Sequence, residues 1–252
     1  MVDTAPLAPL DPALHDAGLG VNLHGRGPQS TAVLRAARPR RLVAWGAGGT
    51  VHRDDEHEVA RWCRLLTESG IPADPAPERL LIGRPDTTAV PAHAHGATLV
   101  HPGAASGSRR WPADRFAAVA RAERAAGREV VVTGGPGEVE LARAVAADAG
   151  LPGRAVLAGA TDLTALAALV AVAGRVVCGD TGVAHLATAL ATPSVVLFGP
   201  VAPALWGPPR GRGHVALWAG TTGDPHADAP DPGLLRLGVA EVCQHLNAAS
   251  AR

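Results

Sequence analysis

Residues 175–200 read RVVCGDTGVAHLATALATPSVVLFGP, and the fold turns on how this stretch is read. Its two apolar runs, 175–178 and 194–198, are continuously hydrophobic and do not alternate, as in strands covered on both faces. Between them, residues 183–190 form a helix-length segment. Strand, helix and strand in that order imply a right-handed crossover between parallel neighbours. The intervening loop, CGDTGVAH (178–185), is built of small residues that let a ligand approach the backbone. The helix that follows offers unpaired N–H groups and a positive dipole end, a natural seat for phosphate.

The same alternation extends outward. Strands are expected at 98–101, 129–133 and 155–157, with helices at 113–126, 138–149 and 163–173. The segment from residue 96 onward therefore reads as an α/β domain with a doubly wound parallel sheet, whose ligands bind beyond the carboxyl ends of the strands. Upstream, residues 73–96 are rich in proline and small residues and read as a linker, in which the apolar run 80–82 is a candidate strand. Before it, strands at 20–24 and 41–45 and helices at 29–37 and 54–67 make a β-α-β-α fragment that is small for a free-standing domain. The expected division is 1–95, a partial domain with its linker, and 96–252.

Composition narrows the function. The 252 residues are 47% hydrophobic but only 3% aromatic, so alanine, valine and leucine must build the interior. Arginine supplies all 23 basic residues, balanced by 23 acidic ones, which argues against a nucleic-acid partner held by phosphate neutralisation. Cys63, Cys178 and Cys243 form no CxxC pair, and the His93/His95 pair sits in a Pro/Ala/Gly stretch, so no metal site is indicated. The N-terminus lacks the pattern of a secretory signal. The longest apolar run, 163–173, is too short to span a bilayer. A cytoplasmic protein with at most peripheral membrane contact is expected.

Three loops carry the candidate chemistry. In the first, Asp180 or Thr181 can cap the following helix, but capping leaves His185, one turn inside it, unexplained. The second, HPGAASGSRRWP (101–112), joins small residues to paired arginines, which suits an anionic group. Trp111 there is expected to pack the helix start. In the third, GGPGE (134–138), Glu138 either favours the helix dipole or accepts hydrogen bonds from a ribose.

HPGAASGSRRWP, TGGPGEVELA and GDTGVAHLATALATPSVVLFGP occur in this order and at this spacing, and together they resemble the signature of glycosyltransferase family 9, the ADP-heptose:lipopolysaccharide heptosyltransferases and their relatives. The likeness is strong over 96–206 and weaker in VNLHGRGPQS and HEVARWCRLL. It implies a GT-B-like arrangement of two Rossmann-like domains, with the nucleotide on the C-terminal one. No cofactor is expected, and no metal, because the phosphate-facing groups include a cation and no acidic DxD pair stands near them. Asp180, Thr181, Gly182 and His185 then match the donor-diphosphate loop, and Glu138, or less well Glu140, matches the acid that contacts the ribose. Arg109 stands where the family has mostly Lys, facing the donor phosphates. It keeps the charge but changes donor geometry. The implied reaction is inverting transfer of a heptose-like sugar from a nucleoside-diphosphate sugar to a hydroxyl on a glycan or small-molecule acceptor.

The family's N-terminal strand and Gly-Asp loop, whose Asp is proposed as the base, have no counterpart in residues 1–20. The chain is accordingly expected to lack the first βαβ portion of that domain, through a mis-assigned start, a fragment or real divergence. The base is therefore unknown. Asp54 and Asp55 are the remaining acids to consider, although acids at a helix start ordinarily partner its dipole. His24 and Arg26, in a Gly-rich loop after a strand, are the acceptor-side candidates. The Arg35, Arg38, Arg40 and Arg41 group reads as a solvated helix end. The main rival is a non-catalytic nucleotide-sugar-binding module. A dinucleotide-dependent oxidoreductase is disfavoured, because Gly46-Ala47-Gly48-Gly49-Thr50-Val51 ends in Val51 where GxGxxG needs glycine.

Overall fold

A computed structural model describes residues 7–25, 27–46, 50–76, 80–211 and 213–249. The chain divides into two compact units, Met1–Arg79 and Leu80–Arg252. In the first, β1 (Gly20–Val21) pairs in parallel with β2 (Leu42–Val43), with α1 (Pro28–Ala36) between them and α2 (Glu58–Glu68) after them. Val43, Trp45 and Leu65 form its core, with Val21, Trp62 and Ile71 packed against it. The Arg64 guanidinium lies 5.2 Å from the Trp45 ring centroid. Buried Asn22 donates to Ser30 Oγ at 3.0 Å and Thr31 Oγ1 at 2.9 Å, tying the end of β1 to α1.

The second unit carries a five-stranded, all-parallel sheet: β3 (Thr98–His101), β4 (Val130–Val132), β5 (Arg175–Gly179), β6 (Ser194–Phe198) and β7 (His214–Trp218). The spatial order is β4-β3-β5-β6-β7. The helices are α3 (Ala113–Ala125), α4 (Val139–Asp148), α5 (Leu163–Val172), α6 (Gly182–Ala189), the four-residue α7 (Pro203–Trp206) and α8 (Pro232–Leu235), and α9 (Val239–Ala249). Continuous apolarity does mark strands buried on both faces: Val177, Val195 and Leu197 pack with Phe116, Val145 and Leu246, while Val176, Cys178, Val196 and Phe198 pack with Leu169, Val170 and Ala187. Each such buried valine or leucine contributes about 1.5–3 kcal/mol.

Two expected strands are absent. Residues 153–155 form a 3₁₀ turn, and only Val156 bridges to Val132. Val156 N–H closes this turn on the Gly153 carbonyl, so extended backbone resumes only at Val156. The run 80–82 is irregular, and Ile82 N–H instead donates to the Ala189 carbonyl at the end of α6, satisfying one of a helix's orphan acceptors. In the other direction, β7 and α9 extend the sheet and its cover beyond the expected elements.

The amino ends of β3 and β5 are tied to α3 through Glu123, which is 1% exposed. Its carboxylate accepts from Thr98 Oγ1 at 2.5 Å and from Arg128 Nε and Nη2 at 2.7 and 2.6 Å, with Arg175 Nη1 at 3.6 Å. Burial pushes its pKa up, but the hydrogen bonds from Arg128 and Thr98 and the two arginine charges outweigh this and hold it below the usual value. The stability it supplies is therefore full above the ordinary glutamate range and is lost as pH falls through the lowered folded-state value. Breaking a buried pair costs about 3–5 kcal/mol, so Glu123→Ala should lower the unfolding free energy by about 3 kcal/mol or more. Glu123→Gln should also flatten the acid limb of stability against pH. Chemical denaturation between about pH 3 and 7 checks both, and an unchanged acid limb would refute the role given to the charge.

Candidate functional site

In the order β4-β3-β5, the chain leaves β3 for one neighbour and later returns to the other side. Loops after β3 and β5 thus diverge, and the crevice between them is where open α/β sheets take ligands. The loop after β3 brings Arg109 to this point and the loop after β5 brings Asp180, Thr181 and Gly182. Arg109 Nη1 stands 3.7 Å from Asp180 Oδ2. Arg109 Nε is buried with no hydrogen-bond partner among the described residues.

Thr181 holds the N-cap position of α6 by its backbone, but its side chain makes no capping hydrogen bond. Its buried hydroxyl oxygen likewise has no hydrogen-bond partner among the described residues. The Cys178 thiol, pushed up to about 12 chiefly by burial and by Asp180 and opposed by Thr181, is a weak partner at best. The capping reading of Thr181 therefore fails for its hydroxyl. Asp180 is buried, and that burial raises its pKa against the opposing charges of Arg109 and His185.

The β3 loop is braced from behind. Arg110 Nε donates to the Ala104 carbonyl at 2.9 Å. Ser108 N–H donates to Ala227 O at 2.9 Å, and Ser106 Oγ to Pro225 O at 2.7 Å. A Cβ at Gly107 would overlap the Asp228 carbonyl, so only glycine admits this clasp. Trp111 is buried edge-on to Phe116, with Nε1 donating to Leu237 O at 3.2 Å, and so packs the start of α3 as expected.

Beside the crevice lies a hollow of about 540 Å³ lined by His101, Glu138, Gly182, His185 and apolar side chains including Leu166 and Val183. Glu138 Oε2 accepts from Gly135 N–H at 2.8 Å. A Cβ at Gly103 would collide with this carboxylate, so the bare glycine makes its position possible. Glu140 points elsewhere, pairing with Arg143 at 2.7 Å in solvent. His185 lies 6.3 Å, ring to ring, from Trp206.

His101 was not singled out by sequence reasoning. It closes β3 at 8% exposure, with Nδ1 3.0 Å from the Thr133 hydroxyl and Nε2 4.0 Å from Glu138 Oε2. Burial pushes its pKa down, against the pull of Glu138. A histidine at the carboxyl end of a central strand is a detectable signal, though its spacing to Glu138 exists only in three dimensions.

The remaining candidates belong to the first unit. His24 is exposed and borders a separate, mainly apolar hollow with Leu23, Val33 and Leu34. Arg26 lies outside the described residues. Asp54 is 69% exposed and 3.1 Å from His52 Nδ1, and Asp55 is exposed in the same turn.

Residues 32–231 match the sequence model of glycosyltransferase family 9 (heptosyltransferase). The chain belongs to this family. Lipopolysaccharide heptosyltransferase 3 of Escherichia coli is 33% identical over 124 residues, 48% of this chain and 36% of that protein's length. The glycosyl transferase family 9 structure from Veillonella parvula DSM 2008 superposes with a TM-score of 0.73 at 19% identity, covering 95% of this chain and 75% of that one. An E. coli heptosyltransferase solved with ADP gives 0.67 at 20% identity, covering 94% and 75%. The parallel α/β fold of this family 9 chain is thus the GT-B-like class that its motifs imply.

Arg109 opposes the burial that raises the Asp180 pKa, so removing it should raise that pKa further. Carboxyl NMR titration of Arg109→Leu should show Asp180 ionising at higher pH than in the wild type. An unmoved titration would mean that the 3.7 Å pair has no electrostatic weight.

Proposed function

We propose that the second unit binds a nucleoside-diphosphate sugar, ADP-heptose-like, and that the chain transfers the sugar with inversion to a hydroxyl on a glycan or small-molecule acceptor. One observation carries this reading: the Arg109 guanidinium and the start of α6, with the unpartnered Thr181 hydroxyl, converge at the point where the strand order reverses. A diphosphate there meets a fork of N–H donors, a helix dipole and a hydroxyl in one place. Asp180 keeps Arg109 turned toward the crevice, and Glu138 faces the ribose. Membership of family 9, and the ADP carried by a structural relative, support the same ligand class.

In the proposed step the acceptor oxygen attacks the anomeric carbon as the bond to the β-phosphate oxygen breaks. The electron pair leaves on the diphosphate, whose growing charge Arg109 and α6 stabilise. The acceptor proton passes to a general base, for which Asp54 and Asp55 are the candidates in the first unit. That unit takes the acceptor, with His24 and Arg26 as contacts, while the segment from residue 96 onward takes the donor. Lipopolysaccharide-type glycans are the acceptors considered first, in a cytoplasmic setting. None of the described helices is long and apolar enough to cross a membrane.

Calorimetry with ADP tests the donor site. Arg109→Ala should weaken binding at least tenfold, about 1.4 kcal/mol. EDTA should leave wild-type binding intact, because Arg109 and α6 supply the positive potential. Equal affinity in the variant, or a strict need for magnesium, would overturn this picture of the phosphate site.

A further inference from the structure

We propose that the gap between His101 Nε2 and Glu138 Oε2 is a seat for one ribose hydroxyl, which accepts a hydrogen bond from His101 and donates one to Glu138. This rests on the nucleotide reading above. The two atoms are 4.0 Å apart, too far for a direct hydrogen bond. An oxygen placed about 2.8 Å from each would subtend about 90° between them, within reach of a hydroxyl that accepts along one lone pair and donates along its O–H. The separation fits a bridging hydroxyl better than it fits an internal contact.

Polarity runs consistently along the row. The Thr133 hydroxyl is fully buried and lies 3.0 Å from His101 Nδ1. When it donates to Nδ1, the neutral ring carries its proton on Nε2, aimed at the gap. Burial of His101 favours that neutral ring. Across the gap, Glu138 Oε2 already accepts from Gly135 N–H at 2.8 Å and has a further lone pair to offer. Gly103 leaves the space this carboxylate occupies. Both groups line the same hollow, whose other walls include Leu166, Val183 and Leu186. A few convergent polar atoms in an apolar hollow is the form a specificity contact takes. A helix-start carboxylate that served only the dipole would need neither His101 nor Thr133.

The test compares ADP, 2′-deoxy-ADP and 3′-deoxy-ADP by calorimetry on the wild type, His101→Leu and His101→Gln, with folding checked by thermal melting. The wild type should bind one deoxy analogue distinctly more weakly than ADP. His101→Leu should weaken ADP about fivefold, the scale of one polar contact, and leave the affinity for that analogue unchanged. His101→Gln, which keeps an N–H donor, should bind ADP within about threefold of the wild type. Should His101→Leu fail to fold, His101→Gln decides alone, by keeping or losing the preference for ADP over that analogue. Equal weakening of all three ligands, or a wild type indifferent to both hydroxyls, would overturn the seat while leaving the nucleotide reading standing. A wild type that binds no ADP would overturn that reading, and the seat with it.

Discussion

Parallel pairing of β3 with β5, with Val100 beside Val177 and His101 beside Cys178, is the constraint on which the rest depends. It places the ends of two strands, far apart in sequence, level at one edge of the sheet. Because β4 and β5 flank β3 on opposite sides, the loops that leave this edge cannot cover one another. Arg109, the start of α6 and the His101–Glu138 row all owe their proximity to that one register. A one-residue slip would exchange the faces of every residue in β5, driving Val177 and Cys178 into the wrong cores and dispersing the loops.

Within the crevice, charge is arranged in advance of any ligand. Asp180 is held in a position that burial makes unfavourable for its charge, beside an arginine that offsets the penalty. A guanidinium has five donors in a fixed plane, so Arg109 can serve the carboxylate and an incoming oxyanion together. Lysine, a single point of charge, has no such plane to divide between them.

How much of this was legible in the sequence differs by element. Strand β6 was readable to the residue, because a strand buried on both faces leaves an unbroken apolar run. Strand β3, with Thr98 and His101 at its ends, was readable from its place in the strand–helix alternation. The loops around Arg109, Glu138 and Asp180 were readable as turns after strands, because small residues and helix starts mark such turns. The failures have local causes. The run 155–157 looks like a strand, but the tight turn through Gly153–Ala155 leaves it one bridge only. Edge strand β7 is only partly buried and lacks the continuous signal of β6. The Thr181 hydroxyl looks like a cap, and only its geometry shows that it caps nothing. His101 sits beside Glu138 solely because β3 and β4 are neighbours, a pairing that no spacing along the chain encodes.

The Glu123 knot ties α3 to the amino ends of β3 and β5, the pole of the sheet opposite the loops that carry Arg109, Glu138 and Asp180. Structural security and chemical variety are thereby given to different ends of the same strands. Over evolutionary time the loops after β3, β4 and β5 can change length and residue type while the knot keeps the scaffold folded. Descendants of one such chain can change these loops without first solving the folding problem again.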